Sequence, residues 1–345
     1  MGIRNGLFSG KAKRPIAVHF GNDGVIRMMR LQGMDDQTMQ ASFEVSEGDQ
    51  IGLSEAVTCF RSRNTVVSVP SSQVLLTHIR VDCDATDEEV VERLCSENDV
   101  WKNASIRQLP IFTNLRTGIK SKLQQELLCV GVPKKVLEQC VLTLEDASLR
   151  VQKITVPIHA TLRAFDRLYR REGDESITSI VVDLDQKQTI AMIAHGMNLV
   201  VASSLKYTSD ASEKGKWEVS PVLVPVGGTG DEFERRGETQ PRGLIQPKQK
   251  QSPTLIREDD LLLDELQGRM RHHNSLFPER VIDRIVFSGS GALHTERCAS
   301  VATKLGLSGF IADPSAWISG AEGIASGPVW TTVAGLCLTC SGQSR

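Results

Sequence analysis

IAVHFGNDGVIRMMRL, residues 16–31, places two apolar runs on either side of the polar turn GNDG. Glycine accepts the positive φ angles that tight turns demand, so Gly21 and Gly24 predict a β-hairpin here. Further along the chain, SIVVDLDQKQTIAMIAHGMNLVVASSLKY, residues 179–207, predicts three strands joined by polar turns. Strands followed by helices occur twice, and the sequence therefore predicts an α/β protein with an internal duplication.

Other segments complete this pattern. In the first half, NTVVSVP and SQVLLTHIRVD predict strands, and a helix follows residues 84–86, where capping residues precede early acids. Another helix begins at Val132-Pro133, followed by the strand VQKITVP and a helix over 160–171. In the second half, a helix over 259–271 precedes RIVFSGSGAL, which predicts a strand, a glycine turn and a helix start. GFIAD predicts a short strand and GPVWTTVAGLCLTC a closing helix.

The composition narrows the class of protein. A chain of 345 residues is expected to form about two domains. A net charge of -2 argues against nucleic-acid binding, which depends on a basic excess. The eight cysteines include a lone pair at zinc-like spacing, Cys337 and Cys340, and predict free thiols in a reducing cytosol. We expect a cytoplasmic protein, because no segment has the apolar length of a secretion signal or a membrane span.

The candidate binding residues lie in turns after predicted strands. Ligands of α/β sheets bind at the carboxyl ends of strands, where glycine turns let phosphates approach the backbone. The candidates are Gly21, Asn22, Asp23 and Gly24 in the first turn, Asp183 in the strand that opens the second half, and Gly289, Ser290 and Gly291 in the later turn. His272 and His273 end a predicted helix, and we expect them to cap it rather than to bind a metal.

Four segments carry a resemblance to a known family. They are GLFSGKAKRPIAVHFGNDGVIRMMRL, VVSVPSSQVLLTHIRVD, ELLCVGVPKKVLEQCVLTLEDASLRVQKITVPIHATLRAF and LLLDELQGRMRHHNSLFPERVIDRIVFSGSGA. In this order and spacing, the sequence resembles the type IV pilus assembly protein PilM family, within the actin-like ATPase (ASKHA) superfamily. The resemblance covers the chain except for residues 209–257.

The resemblance implies an actin-like ATPase fold, with two duplicated ribonuclease H-like lobes and a small α/β subdomain inserted in the first. We expect a basic segment at 1–14 and a first lobe at 15–173, with the insertion at about 78–153. The second lobe is expected at 174–345. Within it, residues 209–257 are polar and poor in aromatics, which predicts a mobile loop.

Two departures from the family pattern concern the nucleotide site. His19 stands where the family has an aspartate that orients magnesium-bound water, and Asp185 replaces a glycine where phosphate approaches. The family's phosphate-binding lysine corresponds to Ile26 or Arg27, of which only Arg27 could substitute for it. Gly227 and Gly228 resemble a family glycine pair, or are a glycine-rich loop by chance. ATP and Mg are thus expected to bind weakly, without efficient catalysis.

The resemblance implies a scaffold in a type IV pilus, competence or related secretion apparatus. Its partner would resemble PilN, an inner-membrane protein whose cytosolic tail would lie in a groove formed within residues 66–160. The protein would then be peripheral at the inner membrane, and self-assembly is left open. The alternatives are an active Mg-ATP-dependent ATPase or small-molecule kinase, and an FtsA-like cell-division protein. The last usually ends in an amphipathic helix, for which CLTCSGQSR is short and polar.

Overall fold

The structure is a computed structural model, and it describes residues 14–32, 38–60, 62–111, 124–165, 177–207 and 253–339. Several predicted features lie outside these ranges: the segment 1–13, the end of the helix predicted over 160–171, most of the loop 209–257 with Gly227 and Gly228, and Cys340. Within the described ranges, thirteen strands form three sheets and seven α-helices accompany them.

Five strands form the first sheet: β1 (Ile16–Phe20), β2 (Val25–Gln32), β3 (Thr38–Ser46), β4 (Asn64–Ser68) and β8 (Arg150–Thr155). Their order is β3-β2-β1-β4-β8. β1 is apolar and buried throughout, pairing antiparallel with β2 and parallel with β4. The predicted hairpin is confirmed, with Val18 opposite Met28.

The second sheet repeats this arrangement with β9 (Thr178–Leu184), β10 (Thr189–His195), β11 (Asn198–Leu205), β12 (Ile282–Ser288) and β13 (Ser308–Ile311). Its order is β11-β10-β9-β12-β13, and the central strand β9 again has one antiparallel and one parallel neighbour. β9 and β10 are buried at every position, which explains their continuous apolar sequences. The predicted duplication is thus present in both strand order and direction.

A separate small sheet contains β5 (Leu75–Asp82), β6 (Ala104–Ile111) and β7 (Gln124–Pro133), in the order β5-β7-β6. It lies between β4 and β8 in the sequence, as expected of an insertion. β8 falls inside the range predicted for the insertion, but it pairs with β4 and so extends the first sheet. On its other side the small sheet contacts the second sheet, where β5 packs against β11.

The helices are α1 (Gln50–Phe60), α2 (Asp87–Glu97), α3 (Lys134–Asp146), α4 (Pro157–Ala164), α5 (Pro253–Leu276), α6 (Thr295–Leu305) and α7 (Thr331–Thr339). α2 begins with a capping box, in which Thr86 and Glu89 each accept a hydrogen bond from the other's backbone. α5 is longer than predicted at both ends. None of the described helices is long and apolar enough to cross a membrane.

The closing helix α7 packs against the first sheet, although the sequence places it at the end of the second half. It contacts α4, β1, β2 and β4, and its residues from Thr331 to Cys337 are buried. Val333 and Leu336 share an apolar cluster with Ala17 and Met29 of the hairpin. Burying two such side chains contributes about 3–6 kcal/mol in total, so α7 is a substantial part of the first lobe's core.

Candidate functional site

The first hairpin turn is fixed by hydrogen bonds to its own strands and to the loop before β5. The amide of Gly21 donates to the carbonyl of Val25 at 2.9 Å. The Asn22 side chain donates from Nδ2 to Ser71 Oγ at 2.6 Å and accepts from the Ser72 amide at 3.1 Å. Asn22 is buried and its amide group is satisfied internally. It therefore holds the turn in place rather than presenting polar atoms to a ligand.

Asp23 takes part in an ion-pair network with Arg27 and Glu44. Arg27 Nη2 lies 2.6 Å from Asp23 Oδ2, and Arg27 Nε lies 2.9 Å from Glu44 Oε1. Burial tends to raise the pKa of Asp23, but the hydrogen bonds and charge of Arg27 hold that pKa below its ordinary value. The guanidinium that the sequence offered for phosphate binding is thus shared by two carboxylates.

His19 lies opposite Arg27 on the neighbouring strand and is buried. Burial, together with the positive charge of Arg27, lowers the pKa of His19 to about 3. The imidazole is therefore neutral at physiological pH, and it offers no carboxylate oxygen to a hydrated magnesium ion. A protonated imidazole here would face the positive charge of Arg27 out of water.

Asp183 lies next to the end of β9, where Ser288 of β12 is its partner in the sheet register. Ser288 Oγ donates to Asp183 Oδ1 at 3.0 Å, and both side chains are buried. Burial and the negative charge of Asp185 raise the pKa of Asp183 to about 7. A proton thus neutralises this carboxylate through part of the physiological pH range.

Asp185 connects the end of β9 to the later glycine turn. Its Oδ1 accepts hydrogen bonds from the Gln186 amide at 2.8 Å and from Ser290 Oγ at 3.0 Å. Burial raises the pKa of Asp185, the negative charge of Asp23 raises it further, and Arg27 opposes the shift. The Asp185 carboxylate is therefore within electrostatic range of Asp23 and Arg27 of the first hairpin, and we call the region between the two turns the cleft.

Gly289 occupies a position that has no room for a side chain. Its φ is +81°, and a Cβ there would lie 2.4 Å from the carbonyl oxygen of Leu184 and 2.9 Å from Asp183 Oδ1. Its amide donates to the carbonyl of Pro328 at 3.1 Å. The turn packs directly onto the end of β9, and this amide is already bonded within the protein.

Asp313 was not predicted, yet it supports the same turn from the opposite side. Its Oδ1 accepts from the amides of Ser315 and Gly327, both at 2.9 Å, and the side chain is buried. These bonds position Pro328, the partner of Gly289. An aspartate before Pro314 is a turn-forming pattern that the sequence did contain. Arg27's partner Glu44 and Asp183's partner Ser288 had no comparable local signal.

The guanidinium of Arg27 in the cleft is already paired with carboxylates. Asp23, Asp183 and Asp185 bring three carboxyl groups to the place where phosphate oxygens would approach. Arg27 is committed to Asp23 and Glu44. Two like charges about 4 Å apart repel by about 4 kcal/mol at an effective dielectric of 20. Of the predicted residues, Asp183, Gly289 and Ser290 lie together at the end of β9, whereas Asn22 is bonded to Ser71.

The fold was compared with known proteins. Neither a protein-family model nor a curated protein matches the sequence. Among solved structures, a PilM-PilN type IV pilus biogenesis complex matches with a TM-score of 0.61 and 14% identity, over 96% of this chain and 99% of the other. The expected actin-like ATPase fold is confirmed.

Two further solved structures match at lower similarity. The cytoplasmic domain of EpsL, an inner-membrane component of the Vibrio cholerae type II secretion system, has 15% identity and a TM-score of 0.39. That match covers 55% of this chain and 70% of the other. An activator of 2-hydroxyisocaproyl-CoA dehydratase from Clostridium difficile, with bound ADPNP, has 9% identity and a TM-score of 0.44. It covers 95% of this chain and 94% of the other.

Proposed function

We propose that this protein is a PilM-like scaffold of a type IV pilus, competence or related secretion apparatus. In this role it binds the cytosolic tail of an inner-membrane partner and is held at the membrane by that partner. The proposal is supported by the actin-like fold, which follows that of the PilM-PilN complex along almost the whole chain. The observation that favours a scaffold over an enzyme is the cleft itself, whose charged groups bond to one another.

Weak nucleotide binding is part of the proposal. A triphosphate entering the cleft would face the carboxylates of Asp23 and Asp185 and would compete with them for Arg27. Replacing existing hydrogen bonds gives little net gain, since each bond lost offsets one formed. We therefore expect Mg-ATP to bind only at millimolar concentration or not at all, and to be hydrolysed at no measurable rate.

Calorimetric titration with Mg-ATP, paired with a phosphate-release assay, tests this expectation. Micromolar binding with turnover would support the alternative, an active ATPase or small-molecule kinase, and would contradict the scaffold. The double variant His19→Asp/Asp185→Gly restores the family's residues and should tighten nucleotide binding at least tenfold, about 1.4 kcal/mol. Asp185→Asn is the matched control, because it removes the charge without restoring glycine, and it should give a smaller gain.

The partner's tail is proposed to bind within residues 66–160, between the first sheet and the small sheet. In the described part of the chain, β6 pairs only with β7 and β8 pairs only with β4, so each strand has one open edge. An extended segment can add to such an edge through main-chain hydrogen bonds, with apolar pockets selecting its side chains. Leu109 of β6 and Leu142 of α3 are exposed apolar residues in this region.

Peptide titration tests the partner proposal. The probe is the cytosolic tail of a membrane protein with a single span, encoded beside this gene. Leu109→Glu and Leu142→Glu are tested singly, and at least one should weaken binding about tenfold or more. Val281→Glu is the matched control, because Val281 is also apolar and exposed but precedes β12 in the second lobe. Absence of tail binding, or equal weakening by the control, would contradict the proposal.

A further inference from the structure

Three side chains with metal-binding atoms converge where the small sheet meets the second lobe. His78 lies on β5, Glu126 on β7 and His272 near the end of α5. His78 Nδ1 and His272 Nε2 each lie 3.9 Å from Glu126 Oε1, and the three ligand atoms lie within 4.8 Å of one another. We propose that these residues form a binding site for one divalent d-block cation of the Zn²⁺ class.

The distances favour an atom held between the three groups. A separation of 3.9 Å exceeds any hydrogen bond, and both imidazole nitrogens are buried without a hydrogen-bond partner among the described residues. Ligands of a tetrahedral zinc ion with bonds of about 2.0–2.1 Å are roughly 3.3 Å apart. Coordination would shorten each distance to Glu126 by about half an ångström and the distance between the two imidazole nitrogens by at most about 1.5 Å, through side-chain rotation.

The donor set selects the class of cation. Two imidazoles and one carboxylate suit zinc and its d-block neighbours, whereas calcium and magnesium prefer oxygen ligands alone. Arg80 Nε donates to the other carboxylate oxygen, Glu126 Oε2, at 3.3 Å, so Oε1 remains directed at the imidazoles. A bond of this kind orients a ligating carboxylate.

The site has an entrance. The His272 side chain is 33% exposed, whereas those of His78 and Glu126 are 14% and 8% exposed. A cation can therefore enter along the His272 side, and three protein ligands leave a fourth position for water. The neighbouring His273 takes no part, because its Nε2 lies 2.8 Å from His195 Nε2. The capping role expected for this histidine pair does not describe where the two side chains lie.

Cation binding changes a hydrogen bond between the small sheet and the second lobe. The amide of Ala202 on β11 donates to His78 Nε2 at 3.2 Å, so the proton of the neutral imidazole lies on Nδ1. Coordination through Nδ1 requires that proton to leave and Nε2 to gain one from solvent. The Ala202 amide then loses its acceptor. In place of this hydrogen bond, the metal ion joins α5 to β5 and β7 through its three ligands.

Two arginines affect the strength of the site in different ways. Arg80 orients the carboxylate, and its side chain is 61% exposed, so water screens its charge. Arg269, one helical turn before His272, places a positive charge close enough to act on His78. That charge opposes a cation. Arg269→Gln should therefore tighten cation binding, an outcome that a purely structural cluster would not produce.

Titration of the chelator-treated, full-length chain with ZnCl₂ tests the proposal. We expect one ion per chain at this site, with a rise in Tm on addition of Zn²⁺. His272→Ala should weaken binding at least about tenfold and abolish that rise. Because His272 is partly exposed, the metal-free variant should retain the parent's Tm. His159→Ala, on α4 of the first lobe, is the matched control and should bind Zn²⁺ as the parent does.

Two spectroscopic readouts separate this site from adventitious binding to thiols. Co²⁺ in place of Zn²⁺ should show no intense thiolate charge-transfer band, because the ligands are nitrogen and oxygen. Zn²⁺ should also shift the amide resonance of Ala202 and speed its hydrogen exchange. A thiolate band, or Zn²⁺ binding and a Tm rise that persist in His272→Ala, would overturn the proposal.

Discussion

The two lobes have the same strand order but neutralise the acids at their cleft-facing ends in different ways. In the first lobe, Asp23 is paired with the guanidinium of Arg27, which holds its pKa down. In the second lobe, Asp183 accepts a hydrogen bond from the hydroxyl of Ser288, and burial beside Asp185 raises its pKa to about 7. One acid is balanced by a fixed cation and the other by an exchangeable proton.

This difference shows that a duplicated fold does not impose duplicated electrostatics. The backbone places a carboxylate at each turn, but the neighbouring strands supply different partners. β2 carries Arg27 into the first site through antiparallel pairing, whereas β12 brings Ser288 beside Asp183 through parallel pairing. Asp23 beside Arg27 therefore stays ionised at neutral pH, whereas Asp183 is expected to titrate there.

The largest expected loss of stability comes from substituting a glycine in one of the two turns. Gly289→Ala should destabilise the protein by about 3 kcal/mol or more, because the new Cβ meets the carbonyl of Leu184 and the positive φ is retained. Gly24→Ala is the matched control in the first lobe, where φ is +74° but no atom lies within 4 Å of the position that a Cβ would take. It should cost only about 1–2 kcal/mol. Equal losses in urea-unfolding experiments would show that steric contact does not distinguish the turns.

Breaking the ion pair between Arg27 and Asp23 should give the next largest loss of stability. Arg27→Met should lower the free energy of unfolding by about 3 kcal/mol, because it leaves a buried carboxylate without its cation. Adding Asp23→Asn should recover part of that loss. Lys102→Met is the control, since Lys102 and Asp99 are both exposed and the pair should contribute less than about 1 kcal/mol. Urea unfolding measures all three, and similar losses for Arg27→Met and Lys102→Met would contradict the assigned role of burial.

The smallest expected change in stability comes from Asp183, and it depends on pH. The pKa of Asp183 is about 7 when folded and near 3.8 when unfolded, so the folded state binds the proton more tightly. Its contribution to stability is present below about pH 4 and is lost as the pH rises through 7. Asp183→Asn should therefore be more stable than the parent at pH 8, by on the order of 1–2 kcal/mol, and the two should converge near pH 4.

Carboxyl NMR sharpens the same prediction. The Asp183 resonance should titrate with a midpoint of about 7 in the parent. Asp185→Asn should lower that midpoint, because it removes the neighbouring negative charge. A midpoint near 4 in the parent, or a stability difference that is independent of pH, would show that the proton does not neutralise this site.

Local patterns in the sequence predicted the elements that form the cleft. The hairpin turn at Gly21 and Gly24, the three strands of residues 179–207 and the glycine turn at Gly289 all follow from apolar runs and turn chemistry. The capped start of α2 was predicted on the same basis and is confirmed. These features depend on residues close together in the chain, which is why a single sequence reveals them.

β3 and α1 were not predicted, because their residue patterns are weak. β3 alternates polar and apolar residues without a continuous apolar run, and α1 carries neither acids in its first turn nor bases in its last. The sequence also did not show that the strand SQVLLTHIRVD leaves the first sheet for the small one. That choice depends on pairing with β7, some fifty residues later along the chain.

The hydrogen-bond partners of the site residues could not be predicted from neighbouring residues, for the same reason. Asn22 is bonded to Ser71, 49 positions away, and Asp183 to Ser288, 105 positions away. Whether an acid in a turn is free for a ligand depends on such distant partners. The sequence therefore located the candidate residues, whereas only the structure showed that their polar atoms are already bonded.

The position of α7 has a consequence for how the chain is made. This helix covers the hairpin of β1 and β2, yet it is encoded more than three hundred residues after the hairpin begins. During translation, Ala17 and Met29 lack their apolar cover until residues 331–339 have left the ribosome. The earliest-synthesised sheet is thus the last to be completed, and nascent chains would depend on a chaperone or on slow synthesis to keep that surface from aggregating.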